Sequence, residues 1–135
     1  LEAMRLAPRA PRLFAARTFY EDLVHEAPAL LENPYIATKA AATQLVRLFT
    51  ASYLGGVVLG NFFQVYGPGD DPGNVLSYAA RELKAGRAPL FGSGRGLRDW
   101  IYVTDAAAAV LACLASPSAP CASYDIGSGE LRSIR

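Results

Sequence analysis

The sequence has few of the residues that bind metals or form disulfide bonds. Its 135 residues include two cysteines, Cys113 and Cys121, and one histidine, and no C-x-x-C pair occurs. Two cysteines cannot form the disulfide framework of a small secreted domain, and a lone histidine argues against a structural zinc site. We therefore expect a reduced, cytoplasmic protein without a bound metal.

Long apolar runs and blocks of like charge are absent as well. No apolar run approaches the roughly 20 residues that cross a bilayer. The formal net charge is +1, and the basic residues are spread along the chain. Nucleic-acid surfaces require clustered Lys and Arg, so we expect neither nucleic-acid nor membrane binding. A composition of 52% hydrophobic and 19% charged residues is typical of a globular domain.

Short apolar runs alternate with segments of helical spacing. The runs "RLFAA" (12–16), "GGVVLGNFF" (55–63) and "ASYDIGSG" (122–129) predict strands, and "APLF" and "DWIYV" predict shorter extended segments. Helices are predicted over 34–53 after Pro34, over 74–85 with Asn74 as N-cap, and after Thr104 as a further N-cap. Residues 17–33 are predicted to be irregular. Strands that alternate with helices indicate an α/β fold with a largely parallel sheet.

Two glycine-rich segments resemble phosphate-binding loops but lack the required spacing. "GSGRG" (92–96) precedes a predicted strand, whereas the dinucleotide fingerprint G-x-G-x-x-G opens a helix. "GPGDDPG" (67–73) contains two prolines, which are typical of turns. We therefore predict that both segments are loops and that neither holds a pyrophosphate.

Tyr35 and Lys39 are four residues apart in the predicted helix over 34–53 and so share one face, about one turn apart. A phenol is a poor base at neutral pH unless a nearby positive charge stabilises its anion. The pair could therefore exchange a proton with a substrate hydroxyl. The alternative is a half-buried tyrosine beside a solvated lysine.

Four motifs occur in order with sensible gaps: "NPYIATKAA", "VYGPGDDPGNV", "LFGSGRGLRDWIYVTDAA" and "YDIGSGE". Together they resemble the extended short-chain dehydrogenase/reductase family, the NAD-dependent epimerases and dehydratases of nucleotide sugars. The resemblance covers nearly the whole chain. It implies a partial Rossmann-like parallel sheet, the second half of such a domain in 1–66, and a substrate-binding region in 67–135.

The resemblance implies a role for several residues. Tyr35 becomes the catalytic acid/base, and Lys39 stabilises its anion and holds the nicotinamide ribose of NAD or NADP. Arg98 matches the arginine that binds the diphosphate of a nucleotide-sugar substrate; the alternative is a surface salt bridge to Asp99. Further substrate contacts are implied at Asn74, Val75, Phe91 and Gln64, although Phe91 is equally typical of a core.

The chain departs from the family pattern at the strand end that carries a catalytic hydroxyl. That position falls on Ala16, and Thr18 is the nearby candidate to replace it. Sugar dehydratases have an Asp-Glu pair next to the hydroxyl, where this chain has Arg17 and Thr18, which favours epimerase-like or reductase-like chemistry. Asn61 replaces a further arginine of the pattern.

The family's dinucleotide-binding half has no counterpart in the sequence. We therefore expect the isolated chain to be inactive, and three hypotheses remain open. The chain is a piece of an NAD-dependent enzyme, a catalytically inactive nucleotide-sugar-binding or scaffold module, or the ordered part of a longer protein. The resemblance also implies a homodimer through helix 34–53, whose outer face would present Leu45, Leu48 and Phe49; internal packing is the alternative.

Overall fold

The computed structural model describes residues 1–7, 11–53, 56–116 and 121–134. The helices are α1 (Glu2–Leu6), α2 (Tyr20–Leu23), α3 (Pro34–Tyr53), α4 (Val75–Lys84) and α5 (Val103–Ala115), with a 3₁₀ helix at Pro28–Glu32. The strands are β1 (Arg12–Thr18), β2 (Gly56–Phe62), β3 (Gln64–Tyr66), β4 (Arg98–Tyr102), β5 (Ala122–Ile126) and β6 (Leu131–Arg132). None of these helices combines the length and apolar character needed to span a membrane.

The chain divides into two compact units, which we describe separately. The first comprises Leu1–Phe62 and Ala108–Ile126, and the second comprises Phe63–Ala107 and Gly127–Arg135. The segment Ala108–Ile126 belongs to the first unit because its strand β5 pairs with β2. This structural division differs from the functional ranges 1–66 and 67–135, which remain a proposal.

The first unit contains a parallel three-stranded sheet in the order β1-β2-β5. Val57 and Leu59 on the central strand are fully buried and form the core with Val46 of α3. On the opposite face, a Cβ added to Gly60 would lie 1.9 Å from Cζ of Phe14. Glycine at position 60 therefore makes room for the Phe14 ring.

Helix α3 has the bounds that the sequence predicts. It begins at Pro34, where a missing N–H costs no helical hydrogen bond, and the Asn33 side-chain oxygen accepts a hydrogen bond from Tyr35 N at 2.9 Å. Leu45 and Leu48 are 60% and 65% exposed. The placement of Phe49 on the outer face is wrong: it is only 9% exposed, because it follows buried Val46 by three residues and shares its face.

The second unit has a small sheet in which β3 and β4 are parallel and β4 and β6 are antiparallel. Asp99 on β4 fixes the turn after β5: it accepts hydrogen bonds from Ser128 N (2.6 Å), Ser128 Oγ (2.8 Å) and Gly129 N (2.9 Å). Burial disfavours the charged carboxylate, but these hydrogen bonds outweigh it and lower the pKa of Asp99. A Cβ at Gly127 would lie 2.5 Å from Asp99 Oδ2, so this turn requires glycine.

Several local predictions need correction. The segment 17–33 contains α2 and the 3₁₀ helix, which are too short to show a periodic pattern. Helix α5 begins at Val103, so Thr104 lies inside its first turn. The segment 88–91 forms no strand, and the strand predicted over 122–129 ends at Ile126, where the Asp99-bound turn begins.

Candidate functional site

Tyr35 and Lys39 lie in the first two turns of α3, in the first unit. Tyr35 is 55% exposed and lies at the surface of the first unit. Lys39 Nζ donates a hydrogen bond to the carbonyl oxygen of Ala16, 2.9 Å away, near the end of β1. The ammonium group is therefore held at the carboxyl end of a parallel strand, where ligands bind in open α/β sheets.

The structure places Thr18 two residues beyond Ala16 on the same face of β1. With a rise of about 3.3 Å per residue, Thr18 lies about 6.6 Å further along the strand. Its side chain is buried, and its backbone N–H donates to Oε1 of Glu21 at 3.0 Å. Ala16 has no side-chain hydroxyl, and its carbonyl oxygen accepts the hydrogen bond from Lys39.

A polar network that the sequence did not reveal crosses the carboxyl ends of the same sheet. Asn61 is 3% exposed, and its Nδ2 donates to Asp22 Oδ2 at 2.8 Å and to Asp125 Oδ1 at 2.9 Å. Arg17 donates to Asp22 at 2.7 Å and to Glu21 at 3.2 Å. Burial disfavours the charged guanidinium, but these two acceptors outweigh it and raise the pKa of Arg17. The network joins β1, α2, β2 and β5.

The second unit contains a cavity of about 670 Å³. Its lining is largely apolar and aromatic, and consists of Tyr66, Leu76, Ala79, Leu83, Pro89, Phe91, Trp100, Ser128, Arg132, Ser133 and Ile134. Such a wall with a few polar groups is typical of a small-molecule site. Among these lining residues, Arg132 carries the one formal charge.

One of the predicted substrate-binding residues, Phe91, lines this cavity, and its ring packs edge-on against Tyr78 with centroids 6.1 Å apart. Val75 is the first residue of α4 and precedes the lining residue Leu76. Asn74 occupies the N-cap position without a side-chain capping bond, and its Nδ2 instead donates to Asp70 Oδ1 at 2.6 Å.

Gln64 and Arg98 also lie outside the lining of the cavity. Gln64 is the register partner of Trp100 across β3 and β4. The Arg98 guanidinium donates to the carbonyl oxygen of Leu97 at 2.8 Å. The alternative of a salt bridge between Arg98 and Asp99 is wrong, because the Asp99 carboxylate binds Ser128 and Gly129 instead.

Sequence reasoning missed Arg132, which pairs directly opposite Arg98 in the β4/β6 register. Strand β6 has only two residues, so it left no alternating pattern to find. In the described ranges, no three His, Cys, Asp or Glu side chains gather in a way that could hold a metal ion.

A parallel sheet with a Tyr-x-x-x-Lys helix beside its strand ends defines a Rossmann-like protein of the extended short-chain dehydrogenase/reductase class. The sequence model of the NAD dependent epimerase/dehydratase family matches residues 8–127. The chain belongs to this family, as its motifs predicted.

Curated relatives are named dTDP-glucose 4,6-dehydratase. The protein from Xanthomonas campestris pv. campestris (strain B100) is 35% identical over 89 residues, which are 65% of this chain and 25% of the relative. The protein from Mycobacterium tuberculosis (strain H37Rv) is 38% identical over 79 residues, 58% of this chain and 24% of the relative. The chain thus spans about a quarter of the length of these relatives.

Solved structures show the same fold. UDP-N-acetylglucosamine 4-epimerase from Methanobrevibacter ruminantium M1, in complex with UDP-N-acetylmuramic acid, matches with a TM-score of 0.77 at 23% identity over 91% of this chain and 43% of that one. MoeE5 in complex with UDP-glucuronic acid and NAD matches with a TM-score of 0.64 at 33% identity over 75% of this chain and 35% of that one.

Proposed function

We propose that this chain belongs to an NAD-dependent oxidoreductase that acts on a sugar carbon of a nucleotide sugar, with Tyr35 as acid/base. The observation that supports this most directly is the exposed Tyr35 one helical turn before Lys39, whose ammonium group is held on Ala16 O. When bound, NAD or NADP would supply the hydride acceptor. We further propose that residues 1–66 carry this chemistry and residues 67–135 bind the substrate.

The proton-transfer role follows from the charges around Tyr35. The phenol must lose its proton to accept one from a sugar hydroxyl, and a cation nearby favours the phenolate. The hydrogen bond to Ala16 O uses one of the three N–H groups of Lys39. The other two can donate to ribose hydroxyls, so the donor set fits the nicotinamide end of the cofactor, and Thr18 is the proposed hydroxyl partner.

The substrate is proposed to be a nucleotide sugar bound in the second unit. The cavity supports this because its volume suits a nucleoside-sized ligand and its aromatic wall, with Phe91 and Trp100, suits a planar base. Asn74, Val75, Gln64 and Arg98 remain proposed contacts for the nucleotide. Structural neighbours were solved with UDP-N-acetylmuramic acid and UDP-glucuronic acid.

For the reaction, we propose epimerase-like or reductase-like chemistry. Water elimination needs an acid and a base near the hydroxyl position, where this chain has Arg17 and Thr18. Arg17 is held by Glu21 and Asp22 and cannot serve as an acid at neutral pH. The curated relatives are dehydratases by name, and they match this chain over about a quarter of their length.

A second candidate function is a nucleotide-sugar-binding module without turnover. The observation that favours it is Ala16 at the position of the family's catalytic hydroxyl, with Thr18 buried further along the strand. In either case we propose a cytoplasmic protein that dimerises through α3.

The test is turnover of UDP- and dTDP-sugars with NAD by the enzyme that contains this chain, since the chain by itself is expected to be inactive, followed by product chromatography. We expect Tyr35→Phe to lower kcat by at least about 100-fold, the usual range for loss of a general acid/base. Tyr53→Phe, at an exposed tyrosine of the same helix, is the matched control and should leave kcat unchanged. Sugar binding without wild-type turnover would support the binding module instead.

A further inference from the structure

Residues 85–97 connect α4 to β4 in the second unit and contain no helix or strand. Pro89 and Phe91 of this connection line the cavity, whereas Leu90 between them is 84% exposed. The two flanking residues thus form one part of the cavity wall, and Leu90 lies at its outer surface. The contacts that hold the connection in place therefore determine the shape of this wall.

Tyr78 on α4 contacts the connection at this point in two ways. Its hydroxyl oxygen accepts a hydrogen bond from Leu90 N at 3.2 Å, and its ring packs edge-on against Phe91 at an interplanar angle of 81°. Among the residues that the structure describes, the bond to Leu90 is the hydrogen bond that joins 88–97 to α4. Tyr78 itself lies outside the lining of the cavity.

Arg81 extends these contacts to the segment before α4. Its guanidinium carbon lies 5.6 Å from the centroid of the Tyr78 ring, within the range of a cation–π interaction. Its Nη1 donates to the carbonyl oxygen of Pro72 at 3.3 Å. Tyr78 and Arg81 therefore connect the segments on both sides of α4, which carry the proposed substrate contacts Asn74 and Phe91.

The exposure of Leu90 indicates what the hydroxyl of Tyr78 contributes. Water can replace the hydroxyl as the acceptor of an exposed N–H, so the net contribution of this bond to the stability of the fold is small. The bond still selects one position of the connection among those that a segment without regular secondary structure can adopt. Its effect should therefore be seen in the shape of the cavity wall rather than in folding.

We propose that Tyr78 is a positioning residue, which holds Pro89 and Phe91 in the cavity wall before the nucleotide sugar binds. This rests on the proposed function, which places the nucleotide in this cavity, and it adds a residue that acts only through its neighbours. A wall that is already ordered increases affinity, because less conformational freedom is lost when the ligand binds.

The first test is Tyr78→Phe in the enzyme that contains this chain, since phenylalanine keeps the ring and removes the hydroxyl. Calorimetry gives the Kd of UDP and dTDP, and turnover gives kcat and KM for the corresponding sugars. We expect Kd and KM to rise about three- to tenfold, the effect of one hydrogen bond, with kcat unchanged. Tyr78→Leu also removes the ring contact and should weaken binding further.

Tyr102→Phe is the matched control. Tyr102 is an exposed tyrosine of the same unit, and its ring packs against Tyr66. The substitution removes a hydroxyl and leaves that ring contact, as Tyr78→Phe does for Phe91. It should keep the wild-type Kd and KM.

The second test is amide hydrogen exchange, measured by mass spectrometry on peptides that contain Leu90. Tyr78→Phe should speed exchange at the Leu90 amide by about three- to tenfold, because the acceptor is lost. Exchange in α4 and β4 should stay as in the wild type. Faster exchange throughout both elements would mean that the hydroxyl only supports the fold, and would overturn the proposal.

The outcomes also distinguish this proposal from the proposed function. Equal nucleotide affinity in wild type and Tyr78→Phe refutes the positioning role, whatever the exchange at Leu90, and leaves the function standing. A loss of kcat without a rise in KM refutes the positioning role as well. If the wild type binds neither UDP nor dTDP, the cavity is not a nucleotide site, and both are refuted.

Discussion

Lys39 on α3 and Ala16 on β1 are joined by a hydrogen bond of 2.9 Å from the ammonium group to the backbone carbonyl oxygen. A backbone acceptor cannot change rotamer, so it fixes the position of the charge more firmly than a side-chain acceptor would. Lys39 follows Tyr35 by one turn of α3, and the sequence difference at Ala16 leaves the Lys39 contact intact because it uses only the backbone.

Replacing Lys39 by methionine tests this contact. We expect a loss of kcat of about 100-fold in the proposed reaction, since the phenolate of Tyr35 loses its neighbouring cation. The free energy of unfolding should fall by less than about 1.5 kcal/mol, because one partly exposed hydrogen bond is lost. Lys84→Met is the control and should keep the wild-type kcat, and an unchanged kcat in Lys39→Met would contradict the role.

Asp99 should make stability depend on pH in the acid range. Its pKa is lowered in the folded protein by hydrogen bonds that outweigh burial. Its contribution is therefore complete above the unfolded value of about 3.9 and is lost as the pH falls through the folded pKa below that value. Asp99→Asn should lower the free energy of unfolding at neutral pH by about 1 to 3 kcal/mol.

The corresponding measurement is urea unfolding between neutral and strongly acid pH. The difference between wild type and Asp99→Asn should shrink only at acid pH, whereas exposed Glu26→Gln should follow the wild type throughout. A difference that stays constant down to the lowest pH would show that the carboxylate charge of Asp99 does not contribute.

Gly60 and Phe14 should be energetically coupled. Gly60→Ala places a methyl group on the Phe14 ring, and overpacking of this kind costs about 1 to 3 kcal/mol. In a Phe14→Leu background the same substitution should cost less, since the smaller side chain leaves room. Thermal unfolding of the four proteins gives the coupling energy. Strictly additive effects would mean that the ring moves aside freely.

Exposed Leu45 and Leu48 should carry the proposed dimer contact on α3. Leu45→Glu together with Leu48→Glu should convert a dimer into a monomer in sedimentation velocity, because four carboxylates would meet at the interface. Leu83→Glu, at an exposed leucine of α4, is the matched control and should leave the dimer intact. A wild-type monomer, or a dimer that survives the double substitution, would refute the contact.

Local signals in the sequence predicted the regular elements well. The bounds of α3 followed from Pro34 and a long helical pattern, and the three strands of the parallel sheet followed from short apolar runs. Helix α2 and strands β3 and β6 were missed, because segments of four, three and two residues carry no period. Phe49 was placed outward because an apolar residue alone does not show which face it occupies.

The candidate sites were harder to predict from the sequence where they join residues that are far apart along the chain. Tyr35 and Lys39 are four residues apart, so their spacing is local and easy to recognise. Asn61 meets Asp22 and Asp125 across separations of 39 and 64 residues, and no local pattern encodes such contacts. Arg132 became a candidate only through its register with Arg98, which depends on the turn held by Asp99.

The order of the strands has a consequence for synthesis of the chain. Strand β5 pairs with β2 in the parallel sheet and β6 pairs with β4 in the second sheet, and both lie late in the described residues, within 122–132. While the ribosome is still making this chain, both sheets lack a strand and leave hydrogen-bonding edges open. During synthesis, chaperone binding or aggregation at the open edges of β2 and β4 therefore competes with folding until β5 and β6 have emerged from the ribosome.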